Sequence, residues 1–351
     1  MTDRSDFRQS LRASFRHPIV HFSVSILLAL FFLYLAFRGI QLNRLLASLA
    51  EGNYWWLLVS FGIMLSSHLV RAWRWRFLLD PLKPGIGLRN LFSGVMVGYF
   101  MNNLLPRAGE IARPYTIGKL EKIPASAALG TVVVERIMDT MAFVLMVFAI
   151  PLVYTGPLLE SFPWLRSAGW IVLLIILPLM VLPLVLMFRR DWTDRLLGFA
   201  ARLLPASWEK RLRWIVHAFL DGFLFVKRPA VAVEILLMTG VIWGLYLASM
   251  YAAFFGFGLQ SQLGLGAGWV TLAISSIGVA IPTPGSTGTY HAFTSQTLTR
   301  LFHVDDAVAL SYATATHAVN FIGVTVIGLY FFLKDNMSLS EAVKGVPKVD
   351  S

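Results

Sequence analysis

Two long apolar stretches of this chain are each broken in the middle by a polar motif containing proline and glycine: NNLLPRAGEIAR at 102–113 and IPTPGSTGTY at 281–290. Such breaks strand backbone N–H and C=O groups within apolar surroundings, which is tolerable only where they line a protein-enclosed or water-filled cavity. Paired interruptions at corresponding places in two halves of a membrane chain point to a binding site at the meeting of those halves.

Composition sets the surroundings. Of 351 residues, 57% are hydrophobic and only 14% are charged. The mean hydropathy is +0.67, far more apolar than a soluble domain of this length. The chain is therefore read as an integral membrane protein. Its net charge of +11 fits cytoplasmic loops and anionic headgroups, and no basic stretch accompanies a nucleic-acid recognition motif. The absence of cysteine removes disulfides, thiolate metal sites and cysteine nucleophiles together.

An arm with Arg4, Arg8, Arg12 and Arg16 precedes an apolar run from about Val20 to Phe37. That run is long enough to span a bilayer and is read as a retained helix rather than a cleaved signal. Further spans are expected near Tyr54–Val70, Ala125–Tyr154, Ala168–Phe188, Val231–Phe255 and Ala307–Leu333, with interrupted stretches at roughly 88–122 and 264–301. Lys and Arg number four in the N-terminal arm, five in 71–89, nine in 189–228 and three in the C-terminal tail; segments 38–53, 157–169 and 257–263 hold two, one and none. These counts alternate correctly if both termini are cytoplasmic and each interrupted stretch enters and leaves on one side.

The expected fold is thus all-α: about six transmembrane helices and two opposed re-entrant hairpins in an inverted repeat. A cytoplasmic arm covers 1–19, the membrane domain 20–335 in halves of about 20–155 and 168–333, and a cytoplasmic tail 336–351. The inner (plasma) membrane is the expected location. The alternative makes each broken stretch two short spans. The 189–228 loop, with Trp192, Trp208 and Trp214 among basic residues, suits an interfacial amphipathic helix. RAWRWRFLLDPLK at 71–83 reads as the end of a span at the lipid–water boundary.

Chemistry concentrates at three places. Near the first break stand Asn102, Asn103, Arg107, Glu110 and Arg113, where the arginines could clamp a phosphate by bidentate hydrogen bonds. Glu135, Arg136 and Asp139 lie inside an apolar helix, where each charge costs about 2.5–3.5 kcal/mol on insertion scales. Glu135 and Asp139 share one face and are expected to meet Arg107 or Arg113 in an ion network. The second break offers Gly285, Ser286, Gly288, Tyr290 and His291, and the following span His317 and Asn320. Its glycines permit positive φ, and N–H groups at a broken helix end can bind an anion. No metalloprotease, nucleophile-elbow or P-loop motif appears, so a catalytic site, a metal and a cofactor are not expected.

At these same motifs the chain resembles the lysylphosphatidylglycerol synthase transmembrane-domain family, flippase-like proteins related to the membrane half of the multiple peptide resistance factor. The likeness runs through Arg71, Trp73, Arg74 and Trp75; Asn103, Pro106, Arg107, Gly109, Glu110 and Arg113; Glu135, Arg136 and Asp139; and Pro284, Gly285 and Gly288. It covers about residues 20–335 and implies a domain that moves or binds an anionic or aminoacylated lipid, with polyprenyl-phosphate lipids also open. Many relatives have a second glycine where Ser286 stands and an acidic residue near His291. The resulting expectation is a transporter of a phosphate-headgroup lipid. Two rivals stand beside it: a polyprenyl-phosphate-dependent glycosyltransferase using Glu135 or Asp139 as base, and an accessory partner of a lipid synthase.

Overall fold

The computed structural model describes residues 18–156, 158–163, 174, 181–182, 185–186, 188–201, 216 and 228–338. Among them every regular element is a helix. Most of the expected span at 168–188, most of the 189–228 loop, and most of the N-terminal arm and C-terminal tail lie outside the described residues.

Helix α1 (Pro18–Phe37) turns through 88° into α2 (Leu42–Glu51), a helix within the segment between the first two expected spans. Then come α3 (Tyr54–Leu79), α4 (Leu88–Leu104), α5 (Gly109–Glu121) and α6 (Ala125–Phe148). The expected span to Tyr154 is thus two pieces, α6 and a single turn at Ile150–Val153. Helix α7 (Arg190–Ala201) stands apart in sequence from α8 (Pro229–Phe255), α9 (Leu265–Ala280), α10 (Thr289–Phe302) and α11 (Asp306–Lys334). Helices α3, α8 and α11 are each long and apolar enough to cross a membrane, and the bent α1–α2 pair is a fourth candidate if taken as one span. Helix α6 carries Glu135, Arg136 and Asp139, the charges that set it apart from those three.

The broken stretches are helical hairpins, α4–α5 and α9–α10, each with its two arms packed together. Both use the same backbone punctuation. A non-glycine residue takes the left-handed conformation at each tip, Arg107 (φ 62°) and Ser286 (φ 59°), and another at each exit, Lys122 (φ 56°) and His303 (φ 54°). Asn102 Oδ1 accepts from the N–H of Gly109 (2.7 Å) and so satisfies a free donor at the start of α5. Gly98 and Gly109 allow the arms to touch, since a Cβ at Gly109 would lie 2.0 Å from the Gly98 carbonyl oxygen. Small residues at helix contacts are the usual means of close packing where lipid supplies no hydrophobic drive.

Helix α11 orders both hairpins along its length. Its N-terminal half carries α10, through Tyr290 OH and Thr316 Oγ1 (3.2 Å) and the His291–His317 ring contact (4.6 Å). Its C-terminal half carries α4: Asn103 Nδ2 donates to Thr325 Oγ1 (2.9 Å), and Arg89 and Ser93 bond Asp335. The tips meet between these halves, where Arg107 Nη2 donates to the Ala280 carbonyl (3.3 Å) at the end of α9. Helices α3 and α8 run antiparallel and cross at a reciprocal pair: Ser60 Oγ donates to the Ser249 carbonyl (2.8 Å) and Ser249 Oγ to that of Ser60 (2.9 Å). Nearer one end, the N–H of Asn53 reaches the Gly256 carbonyl at 2.7 Å. Two apolar clusters flank this frame, one around Trp75, Leu79, Leu91, Ile117 and Val132, the other around Phe254, Val270, Ile274, Leu298 and Tyr312.

Candidate functional site

Helix α3 brings Arg71, Arg74 and Trp75 onto one buried face, at the i, i+3, i+4 spacing of a helix. That face meets α5 through Arg113 and α6 through Glu135 and Asp139. Arg113 grips Glu135 with both terminal nitrogens (2.8 Å each), while lying over the Trp75 ring at 3.9 Å. The Trp75 indole is itself fixed by a hydrogen bond to Thr131 Oγ1 (2.9 Å). Arg71 Nη1 bridges Glu135 and Asp139 (2.6 Å to the latter), and its Nη2 donates to Tyr246 OH (2.9 Å). Arg74 donates to Asp139 Oδ1 and to Thr239 Oγ1, both at 2.7 Å.

Three fully charged guanidinium groups thus share two carboxylates, and Arg74 and Glu135 are wholly buried. Among the described residues, one positive charge of this network is left over. Among the described residues the Nε–H donors of Arg71, Arg74 and Arg113 have no hydrogen-bond partner, nor has Nδ1 of the adjacent buried His68. At the edge of the network Arg136 holds Glu110 through Nη2 (2.9 Å) and Nε (3.1 Å). That pair is accessible, with Arg136 and Glu110 side chains 42% and 34% exposed. Between the two sets lies a cavity of about 10 Å³, lined by Gly98, Tyr99, Asn102, Gly109, Arg113 and Arg136. It has room for about one water, so a larger guest requires the hairpin arms to part.

The second hairpin places its polar groups otherwise. His317 Nε2 donates to the Gly285 carbonyl (2.9 Å), and His291 Nδ1 accepts from the Gly288 N–H (3.3 Å). The two imidazoles therefore hold both sides of the tip. Gly285 (φ 53°) and Gly288 (φ 83°) supply the left-handed backbone there, and a Cβ on Gly288 would sit 2.3 Å from the Ala29 carbonyl oxygen. Asn320 donates to the Thr316 carbonyl (2.9 Å), and its buried Oδ1 has no partner among the described residues.

Residues 22–328 match the family described as the lysylphosphatidylglycerol synthase transmembrane region. The chain belongs to that family. It is similar to a UPF0104 membrane protein of Methanocaldococcus jannaschii, 30% identical over 34% of this chain and 37% of that one. A UPF0104 membrane protein of Methanothermobacter thermautotrophicus is 28% identical over 61% of this chain and 66% of its own length. One of Pyrococcus horikoshii is 23% identical over 85% and 92% respectively. The chain thus spans 37% and 66% of the first two relatives. No solved structure matches it. It is an integral membrane protein of this family, all-α in class.

Within this family member, the structure brings Arg113, Glu135 and Asp139 into one network and seats Arg136 with Glu110 at its rim. Arg107 stands apart, capping α9, and Asn103 ties the first tip to α11. Tyr290, His291, His317, Gly285, Gly288 and Asn320 form the second cluster, with Ser286 at the turn of its tip. Arg71 and Arg74 correct the expectation of a purely interfacial segment: Trp73 faces outward, while both arginines are buried. Their signal in the sequence is the 71, 74, 75, 78 helical period, obscured by the tryptophan-arginine composition. Among the described residues no cluster of three metal-ligating side chains occurs.

Proposed function

We propose that this chain is a transporter, or flippase, for a lipid with a phosphate headgroup, in which the α4–α5 and α9–α10 hairpins enter an inner membrane from opposite faces. The observation that carries the reading is the uncompensated positive charge of the Arg71–Arg74–Arg113 cluster, with three unpaired guanidinium N–H donors beside an exchangeable Arg136–Glu110 pair. A buried charge of that kind is costly unless a counter-ion completes it. A phosphate supplies the charge and several acceptor oxygens, which guanidinium groups bind in bidentate fashion.

In the proposed cycle a headgroup phosphate displaces Glu110 from Arg136 and reaches toward Arg113 as the α4 and α5 arms part at Gly98 and Gly109. The acyl chains stay in the bilayer. Asp139 and Glu135 hold the arginines in place and balance their charge when the site is empty. The second hairpin, bearing hydroxyl, imidazole and backbone groups rather than net charge, acts as the opposing gate. Aminoacylated and polyprenyl-phosphate lipids fall within the same headgroup chemistry.

Reconstituted protein tests this directly. Wild type is expected to move a fluorescent phosphatidylglycerol between leaflets, Arg136→Gln to slow it at least about tenfold, a barrier change of roughly 1.4 kcal/mol, and Glu110→Gln to bind the lipid more tightly. Unchanged translocation in a folded Arg136→Gln protein would remove the reading. Lipid recovered with unaltered mass separates transport from a transferase. The family description, which names a synthase, favours one further reading, a lipid-synthase partner; co-purification of a synthase without autonomous transport would support it.

A further inference from the structure

A second polar cavity, of about 220 Å³, lies well away from the arginine network, at the other end of α11. Asp306 and Leu310 from the first turns of α11 form one wall, Ser295, Gln296, Thr299 and Arg300 of α10 a second, and the end of α1 with Arg38 a third. From Asp306 to His317 at the hairpin tips is eleven residues of continuous helix, roughly 16 Å at 1.5 Å per residue. The arginine network borders the hairpin arm that packs on the opposite half of α11.

The chemistry of this cavity is specific. Arg38 and Arg300 both border it, and among the described residues neither makes an ion pair; the nearby Arg44 is satisfied by Asp305 at 2.7 Å. Asp306 is the one carboxylate in the lining, which leaves a net charge of +1. Thr299 and Gln296 add neutral hydrogen-bonding groups. The volume suits a headgroup but falls short of the 300 Å³ or so typical of pockets that engulf whole drug-sized ligands. Next to it, α1 presents Leu27, Leu30, Phe31 and Tyr34 outward, between 53% and 65% exposed. An apolar helix face beside a headgroup-sized cationic cavity is the arrangement that a lipid, with its chains outside and its phosphate inside, would fit.

We infer that this cavity is a second binding site for the phosphodiester of a membrane lipid, with Arg38 and Arg300 as the anion-binding pair and Asp306 limiting the net charge to one. Its place in a transport cycle, as the headgroup station on the far side of the hairpin tips, rests on the proposed transporter function. Occupancy itself does not.

The test is ligand protection of a single cysteine, made possible by a chain with none of its own. Thr299→Cys protein in phosphatidylcholine vesicles is modified with a neutral maleimide while phosphatidylglycerol is raised, and a cysteine at Gln260, outside the cavity lining, corrects for surface charge. At a lipid level about four times half-saturation the modification rate is expected to fall about fivefold. Adding Arg38→Gln and Arg300→Gln, two exposed side chains outside the apolar clusters, is expected to abolish protection. Arg136→Gln is expected to leave it intact, which separates this site from the arginine network. An unprotected cysteine, or protection that survives the double arginine substitution, overturns the inference. Soluble glycerophosphoglycerol in place of the lipid distinguishes the source: protection by that compound without protection by the lipid overturns the lipid assignment. If translocation fails while protection persists, the transporter reading falls and this site stands.

Discussion

Glu135 is the residue on which the buried charges depend. It accepts from Arg71 and Arg113 and lies 3.6 Å from Arg74. Glu135→Gln would leave three buried guanidinium groups facing one carboxylate, and breaking a buried pair from one side costs about 3–5 kcal/mol. The variant is expected to show a large fall in melting temperature in detergent or little folded protein, whereas Arg136→Gln, at the exposed rim, should melt close to wild type. A gentler case sits at the hairpin exit. Burial penalises the Glu121 charge, but bonds from Lys83 (2.6 Å) and Asn90 (2.6 Å), together with the Lys83 charge, outweigh that and hold its carboxyl below the ordinary range. Because the folded pKa is the lower one, this group's contribution is present above the unfolded value of about 4.3 and is lost as pH falls through the folded value. Melting temperature between pH 7 and 3 should therefore fall more steeply for wild type than for Glu121→Gln. At this scale the sequence exposed Glu135 and Asp139 because charge in an apolar helix is conspicuous, and Arg113 because it belongs to the polar motif that breaks an apolar stretch. It concealed Arg71 and Arg74, since arginines among tryptophans also suit a membrane boundary, and only the partner helices decide which way they face.

The hairpins are the elements on which the site is built, and their breaks were legible from proline, glycine and polar residues within apolar stretches. The inverted repeat expected from that pattern came without any residue-level correspondence between the two sets of helices. Helices α3, α4, α5 and α6 have 26, 17, 13 and 24 residues; α8, α9, α10 and α11 have 27, 16, 14 and 29. Counted from their helix starts, Glu135, Arg136 and Asp139 hold the same offsets in α6 as Thr316, His317 and Asn320 in α11. One frame therefore carries charged groups in the first half and neutral polar groups in the second. Backbone geometry repeats because helix lengths and left-handed turns tolerate many side chains, so residue identity need not. The close approach of α4 and α5 gives a direct check. Gly109→Ala is expected to splay the hairpin and sharply lower the yield of folded protein. Gly62→Ala, where a Cβ meets nothing within 4 Å, should be neutral or stabilise by up to about 1 kcal/mol, the difference in helix propensity. Size-exclusion profiles and melting of the two variants decide it.

For the molecule as a whole, α11 is the axis along which the two hairpins, the arginine network and the second cavity are ordered. If it crosses the bilayer with both hairpins entering from opposite faces, an impermeant thiol reagent should reach Lys334→Cys only from the cytoplasmic side and Gln260→Cys only from the other. Gln260 belongs to the same end as the start of α11, because the neighbouring Gln262 side chain donates to the Phe302 carbonyl at 3.1 Å. Labelling of both positions from one side would refute the opposed arrangement.

The amino-acid sequence by itself determined the class of molecule, the position of the helix breaks and the presence of charge where charge is expensive, because hydropathy, proline and glycine act locally. Tertiary structure alone decided which charges meet. It set Arg113 on Glu135, turned Arg71 and Arg74 inward, removed Arg107 to the end of α9 and left one positive charge unmatched. Those outcomes depend on the approach of ion-paired residues up to 68 apart in the chain within the network and of residues 173 apart at the tips. The side chain at one end of such a contact carries no mark of its partner.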